Sequence, residues 1–276
     1  MIPKNQQGMN KILLFLILVL VSLSSCQRNE GERMFATALN LWENSKYDEA
    51  IQNFVALTKA FPEHPLVDDS LFWIANIYEH YLHEPEQGIR YYRSLTRKFD
   101  QSEYRNRSMV GLARIYALKG NEGKQKAILI YEKLQKVPLD ENDWIKNQVH
   151  LAQLYLESKQ FSSSRTALKT LIMKYPKSEY VAKAYHKIGL SYYQEGKHDL
   201  AEITFLQTEK KYDYSLTSLT SAVSLADLYE ELDQLQSAID VYQSILKRLD
   251  KSEMYYHLAT NRIQKLKLRL RKTNTG

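Results

Sequence analysis

Six similar frames recur along this chain, each centred on a small residue, and that recurrence constrains the fold more than any other feature. The frames are "TALNLW" at Ala38, "WIANIY" at Ala75, "GLARIY" at Ala113, "HLAQLY" at Ala152, "KIGLSY" at Gly189 and "SLADLY" at Ala226, at intervals of 37, 38, 39, 37 and 37 residues. A second small residue follows 12 to 14 positions later, at Ala50, Gly88, Ala127, Ser164, Ala201 and Ala238, and a bulky one four beyond it, at Phe54, Tyr92, Tyr131, Leu168, Phe205 and Tyr242. Leu71, Ala75 and Tyr78 share one face of a helix, as do Ala201, Phe205 and Thr208. Each unit therefore reads as two helices that approach closely over small residues. Gly120 and Gly196 suit a left-handed turn between the two, and Pro62 and Pro176 stop the second helix. Only 9 glycines and 6 prolines in 276 residues speak against a sheet with many tight turns.

The pattern resembles the tetratricopeptide repeat: a small residue, Tyr three later, Ala twelve later, an aromatic four beyond that and Pro eight further. The fifth unit matches with Gly189, Tyr192, Ala201 and Phe205, and has Asp213 at the proline place. The fourth has Ala152, Tyr155 and Pro176, but Ser164 and Leu168 replace Ala and the aromatic. The resemblance implies an all-α superhelical solenoid of about six helix-turn-helix repeats, capped by a helix from about Ser252. The long period and the "[FY]-[PD]-x-S" linkers resemble the repeats of bacterial envelope proteins such as the outer-membrane assembly lipoprotein BamD and the Tol–Pal coordinator CpoB. That implies a scaffold for protein–protein interaction.

The N-terminus adds a targeting signal. Ile12 to Leu23 is apolar save Ser22, too short for the roughly 20 residues a spanning helix needs. With Lys4, Lys11 and small residues around it, the run reads as a secretory signal, starting at Met1 or Met9. Leu23-Ser24-Ser25-Cys26 resembles the bacterial lipobox, which implies cleavage before Cys26 and lipid on its sulfur. Gln27 after it, in place of Asp, leans toward the outer membrane. The expected domains are a signal peptide at 1–25, Cys26 with a short tether at 26–33, the solenoid at 34–261 and a basic end at 262–276. An extended tether of Gln27 to Arg33 reaches about 23 Å.

A solenoid puts function on the inner face of its first helices. In the resembled family that face lies six and three residues before the small residue and one and four after it. Repeats one and two supply Glu32, Phe35, Trp42, Asp69, Phe72, Asn76 and Glu79 there; repeats three to five supply Arg107, Arg114, Lys146, Gln153, Lys183, His186 and Tyr193; repeat six supplies Asp227 and Glu230. Phe72, Asn76, Arg107, Arg114, Lys146, Gln153, Lys183, His186 and Tyr193 are the candidate partner-binding groove. Its basic middle favours an acidic peptide or a terminal carboxylate. The carboxylate-clamp mode of the family needs Lys where Phe72 stands, so that mode is disfavoured.

Other classes fit poorly. One cysteine rules out an internal disulfide and a multi-cysteine zinc site. His80 and His83, with Glu79 and Glu84, lack an evident third metal ligand. No nucleophile–base set or Gly-rich phosphate loop is present, so neither a cofactor nor an enzyme is expected; an enzyme or small-molecule receptor is the alternative class. Net charge is +6, yet Arg262, Lys265, Lys267, Arg269, Arg271 and Lys272 cluster at the end. Without them and the two signal lysines the body is about −2, so no nucleic-acid partner is expected. Ile263, Leu266 and Leu270 share one face, so the basic run reads as the end of the capping helix, with contact to anionic lipid as the alternative.

Overall fold

A computed structural model describes residues 27–212, 215–249 and 253–273, and Cys26 with the segment before it lies outside them. The described residues form thirteen α-helices and no strand. They are α1 (27–43), α2 (Tyr47–Ala60), α3 (Val67–His80), α4 (Pro85–Lys98), α5 (Arg105–Ala117), α6 (Gly120–Leu134), α7 (Glu141–Glu157), α8 (Phe161–Lys174), α9 (Tyr180–Gln194), α10 (His198–Lys211), α11 (Leu216–Glu231), α12 (Leu235–Leu246) and α13 (Met254–Thr273). Each of the six frames thus supplies a helix pair, and α13 follows the last.

The chain divides into two compact units, Met1–Ile130 and Tyr131–Gly276. In the first, α3 packs on α2, α4 and α5. In the second, α9 packs on α8, α10 and α11, and α12 packs on α13. In these two places, α3 and α9 each touch their own partner helix and the next first helix, as a helix-pair repeat requires.

The small residues do the work the spacing predicts. A Cβ on Gly189 would sit 2.5 Å from the buried Phe205 ring, and one on Gly88 3.2 Å from the Ala75 carbonyl oxygen. Ala38, Ala50, Phe54, Ile74 and Ile77 are fully buried in one cluster of the first unit. Burying such a large apolar side chain contributes about 1.5–3 kcal/mol. Ser164, where the pattern asks for Ala, is buried and donates to the Ala152 carbonyl at 2.8 Å, so its hydroxyl is satisfied inside the helix pair.

The turn between paired helices contains one left-handed residue in every repeat: Ser45, His83, Gly120, Lys159, Gly196 and Asp233. Five of these follow the small residue of their frame by seven positions. Glycine takes that conformation without strain, whereas side chains with a Cβ resist it. The two glycines were legible as turn residues and the other four were not.

Two expected boundaries change. Gln27 to Arg33 is not an extended tether but the first turns of α1, so seven residues rise only about 10 Å. His64 fastens this end. Its Nε2–H donates to the Arg28 carbonyl at 3.1 Å, its Nδ1 accepts from the Leu66 amide, and its ring fills the space a Cβ on Gly31 would take. The pairs Arg28–Glu32 and Arg33–Glu30 add i,i+4 and i,i+3 support. The division at 261/262 falls inside α13, whose buried Ala259, Ile263 and Leu266 run across it as one apolar face.

Candidate functional site

In the first unit, Asp69, Phe72, Asn76 and Glu79 share a face of α3, because their spacings follow the helical period. Arg107 and Arg114 lie on α5, whose packing against α3 brings the two faces together. Phe72 is half-buried, with its ring centroid 4.6 Å from Tyr104 and 6.2 Å from Tyr92. The Asp69 carboxyl is pushed up to about 6, first by burial and then by the charges of Asp68 and Glu103. Glu79 is almost wholly buried, its side chain 8% exposed, and is the hub of this face. It accepts from Arg114 Nε at 2.6 Å and Nη2 at 2.8 Å, a bidentate pair, and from the Tyr92 hydroxyl at 3.0 Å. Burial and the Glu79 carboxylate push the Tyr92 hydroxyl pKa up, against the charge of Arg114 and a weaker contribution from Asn76.

Arg114 is thus committed to Glu79, and its Nη2 also meets His80 Nε2 at 2.9 Å. His80 serves that network, and among the described residues no group of three or more His, Cys, Asp or Glu is placed to hold a metal. Arg107 differs. It is exposed, its guanidinium lies 5.9 Å from the Tyr104 ring centroid, and it makes no salt bridge to a described carboxylate.

In the second unit, α7 carries Lys146 and Gln153, α9 carries Lys183, His186 and Tyr193, and α11 carries Asp227 and Glu230. Lys146 and Lys183 are exposed and form no salt bridge to a described carboxylate; Lys183 Nζ lies 5.1 Å from the Tyr180 ring centroid. Gln153 accepts from Lys187 Nζ at 2.5 Å and donates to Glu157 at 3.0 Å. Sequence reasoning missed Lys187, whose pKa is lowered by burial against the weaker opposing pull of Glu157. It sits two residues before Gly189, a place outside the four inner-face registers considered.

His186 faces α11. Ser221 spends its proton on the Thr217 carbonyl, so His186 Nδ1–H donates to the Ser221 oxygen at 3.0 Å. Burial, then the charge of Lys187, lowers the imidazole to about 4, and it stays neutral at pH 7. The Tyr193 hydroxyl donates to Glu231, which with burial pushes it up to about 12. At the acidic end, Arg262 of α13 lies 3.5 Å from Glu230 and 3.8 Å from Asp227, and Arg269 lies 3.1 Å from Asp233. Part of the basic C-terminal run thus neutralises the acidic residues of the last repeat, as the end of a capping helix.

The tyrosines three residues after the small residue pack against the preceding repeat. Tyr116 lies under Arg93, Tyr155 donates to Glu132 at 2.5 Å, Tyr192 lies under Arg165 and Tyr229 donates to Glu202 at 2.7 Å. In each case the tyrosine of one repeat meets a charged residue on the second helix of the repeat before.

A family model described as a tetratricopeptide repeat matches residues 35–80, a second of that description matches 182–207, and a third matches 147–178 and 223–252. The chain carries tetratricopeptide repeats. Solved structures agree on the fold. A tetratricopeptide repeat protein from Parabacteroides merdae superimposes with a TM-score of 0.61 at 13% identity, over 89% of each chain. A Podosopora anserina putative kinesin light chain with nearly identical TPR-like repeats gives 0.54 at 17% identity, over 70% of this chain and 99% of that one. MamA from Desulfovibrio magneticus RS-1 gives 0.52 at 14%, over 66% and 94%. No curated protein matches by sequence. The expected all-α class of helix-pair repeats is the one observed, and tetratricopeptide repeats are scaffolds for protein–protein interaction.

Proposed function

We propose that this chain is a lipid-anchored docking scaffold of the bacterial cell envelope, which binds acidic or C-terminal segments of envelope proteins along the first helices of its repeats. One observation carries the docking part. In the second unit Lys146 and Lys183 stand six residues before the small residue of two consecutive repeats, and Arg107 holds the same register in the first unit; all three are exposed and form no salt bridge to a described carboxylate. Most of the other charges on these faces are spent within the protein: Arg114 on Glu79, Lys187 on Gln153, Glu230 on Arg262. Within each unit, a cation left exposed at that register suits a carboxylate of the partner.

The anchoring part rests on sequence. Leu23-Ser24-Ser25-Cys26 follows an apolar run, and several acyl chains on one cysteine hold far more firmly than one, at about 0.8 kcal/mol per buried CH₂. Among the described residues no helix is long and apolar enough to cross a membrane. The proposed place is the periplasmic face of the outer membrane, with BamD-like assembly of outer-membrane proteins as the preferred role and CpoB-like coordination at the cell wall as the other.

Capture from detergent-solubilised envelopes tests this. Barrel-assembly components, retained by the natural chain and lost from the triple variant Arg107→Glu, Lys146→Glu, Lys183→Glu, are the expected result; Tol–Pal components would select the coordination role. Capture that ignores the triple variant would remove the docking register. Separately, Cys26→Ser should leave the chain unprocessed or shift it to the soluble fraction.

A further inference from the structure

The second helices of repeats two and three, α4 and α6, line with α5 an open pocket of about 450 Å³ that lies wholly in the first unit. Its charge is unbalanced. Arg90, Arg93, Lys119 and Lys126 line it against only two carboxylates, Glu86 and Glu122. Its apolar part is Ile89 and the Tyr116 ring. Arg93 and Lys126 both approach that ring, at 5.6 and 5.9 Å from its centroid, so two cations converge on one aromatic side chain.

Tyr116 supplies an independent observation. It is only 8% exposed, and its hydroxyl has no hydrogen-bond partner among the described residues. A buried hydroxyl left unpaired costs free energy, a cost that an acceptor able to reach it would relieve. The first turn of α6 closes the site at Gly123, where a Cβ would fall 2.3 Å from the Tyr116 carbonyl oxygen. Helix N-termini favour anions, which adds to the same sign of potential.

The chain's own side chains show what the cations here grip. Lys119 holds the Glu86 carboxylate and Lys126 holds Glu122 at 2.5 Å. Both glutamates are exposed, with side chains 70% and 84% accessible, so these surface pairs add little stability and exchange readily. We infer that this pocket is a second docking site, separate from the first-helix faces, which takes the carboxylates of an acidic, partly apolar segment of a partner protein. Incoming carboxylates replace Glu86 and Glu122 on the lysines and reach the guanidiniums of Arg90 and Arg93, while an apolar side chain covers Ile89 and the Tyr116 ring. Two built-in carboxylates at the rim favour singly charged groups over a phosphate dianion.

Fluorescence anisotropy with the full chain in detergent and a labelled peptide of alternating glutamate and leucine tests the site. The peptide should bind, and its affinity should fall with added salt. Arg93→Gln with Lys126→Gln should weaken binding about tenfold, the size expected for lost charge-assisted contacts. Tyr116→Phe should weaken it by a smaller factor, and Lys59→Gln should leave it unchanged, since that exposed residue of α2 belongs to neither docking face. Helical circular dichroism of each variant confirms folding. The inference is overturned if the peptide fails to bind, if a glutamine-for-glutamate peptide binds equally well, or if the Arg93/Lys126 variant binds as the natural chain does. Efficient displacement by inorganic phosphate would overturn the choice of carboxylate. Loss of binding in Arg107→Glu alone would move the peptide to the first-helix face.

Discussion

Replacing Gly189 by alanine adds one methyl group where two helices of the fifth repeat are closest. The new Cβ would meet Phe205 Cε1 at 2.5 Å and Cδ1 at 2.7 Å, so the ring must retreat by about 1 Å to reach ordinary carbon–carbon contact. Phe205 is fully buried, and its ring lies 5.8 Å from the His186 ring between centroids. Overpacking of this kind costs about 1–3 kcal/mol, while Gly→Ala in a helix interior returns about 1 kcal/mol. The single variant should therefore be destabilised by roughly 1 kcal/mol. The sharper test is a double-mutant cycle with Phe205→Leu, which rebuilds the Ala152–Leu168 combination of the fourth repeat. Phe205→Leu alone should cost about 1–2 kcal/mol as a large-to-small change. Together the two changes should cost about 1 kcal/mol less than the sum of the singles, because the smaller side chain makes room for the methyl. Urea titration followed by helical circular dichroism reads all four states. Additivity within about 0.5 kcal/mol would show that Gly189 and Phe205 do not compete for the same space, and would refute the close-approach argument.

Two further outcomes follow from the turns and the buried charges. Lys159→Gly should stabilise the second unit by about 1 kcal/mol, because Lys159 holds φ at 57° where glycine is unstrained; an equal or lower urea midpoint would contradict this. His186 ties stability to pH. Its folded pKa of about 4 lies below the ordinary 6.5, so the unfolded chain binds the proton more tightly. Stability should therefore fall as pH drops from about 6.5 to about 4, by roughly 3 kcal/mol at most. His186→Gln should flatten that part of the profile, and an unchanged profile would remove His186 as its source.

Much of the fold was legible in the order of residues, for a local reason. A helix places residues three and four apart on one face, so Leu71, Ala75 and Tyr78 announce a helix without reference to any other segment. The recurrence of that frame then announces the repeat. Ser45, His83, Lys159 and Asp233 show where this reading stopped. Only glycine advertises a left-handed turn by its chemistry, while the other four adopt it because the paired helices leave no other path. The candidate site divides in the same way. Its registers were legible and its free charges were not. Arg107 and Arg114 are the same residue type on one helix, yet one is exposed and the other is held by a buried carboxylate 35 positions earlier. Lys187 on Gln153, Tyr193 on Glu231 and Arg269 on Asp233 are likewise 34 to 38 positions apart.

The sequence by itself determined the helix-pair repeat, its period and the sites of close approach, because these depend on spacing within one turn or two of helix. The tertiary structure alone decided which charges remain available to a partner. Those pairings form between neighbouring repeats, where the crossing of two helices sets which side chains come within hydrogen-bond reach, and a shift of one residue in register would pair a different set.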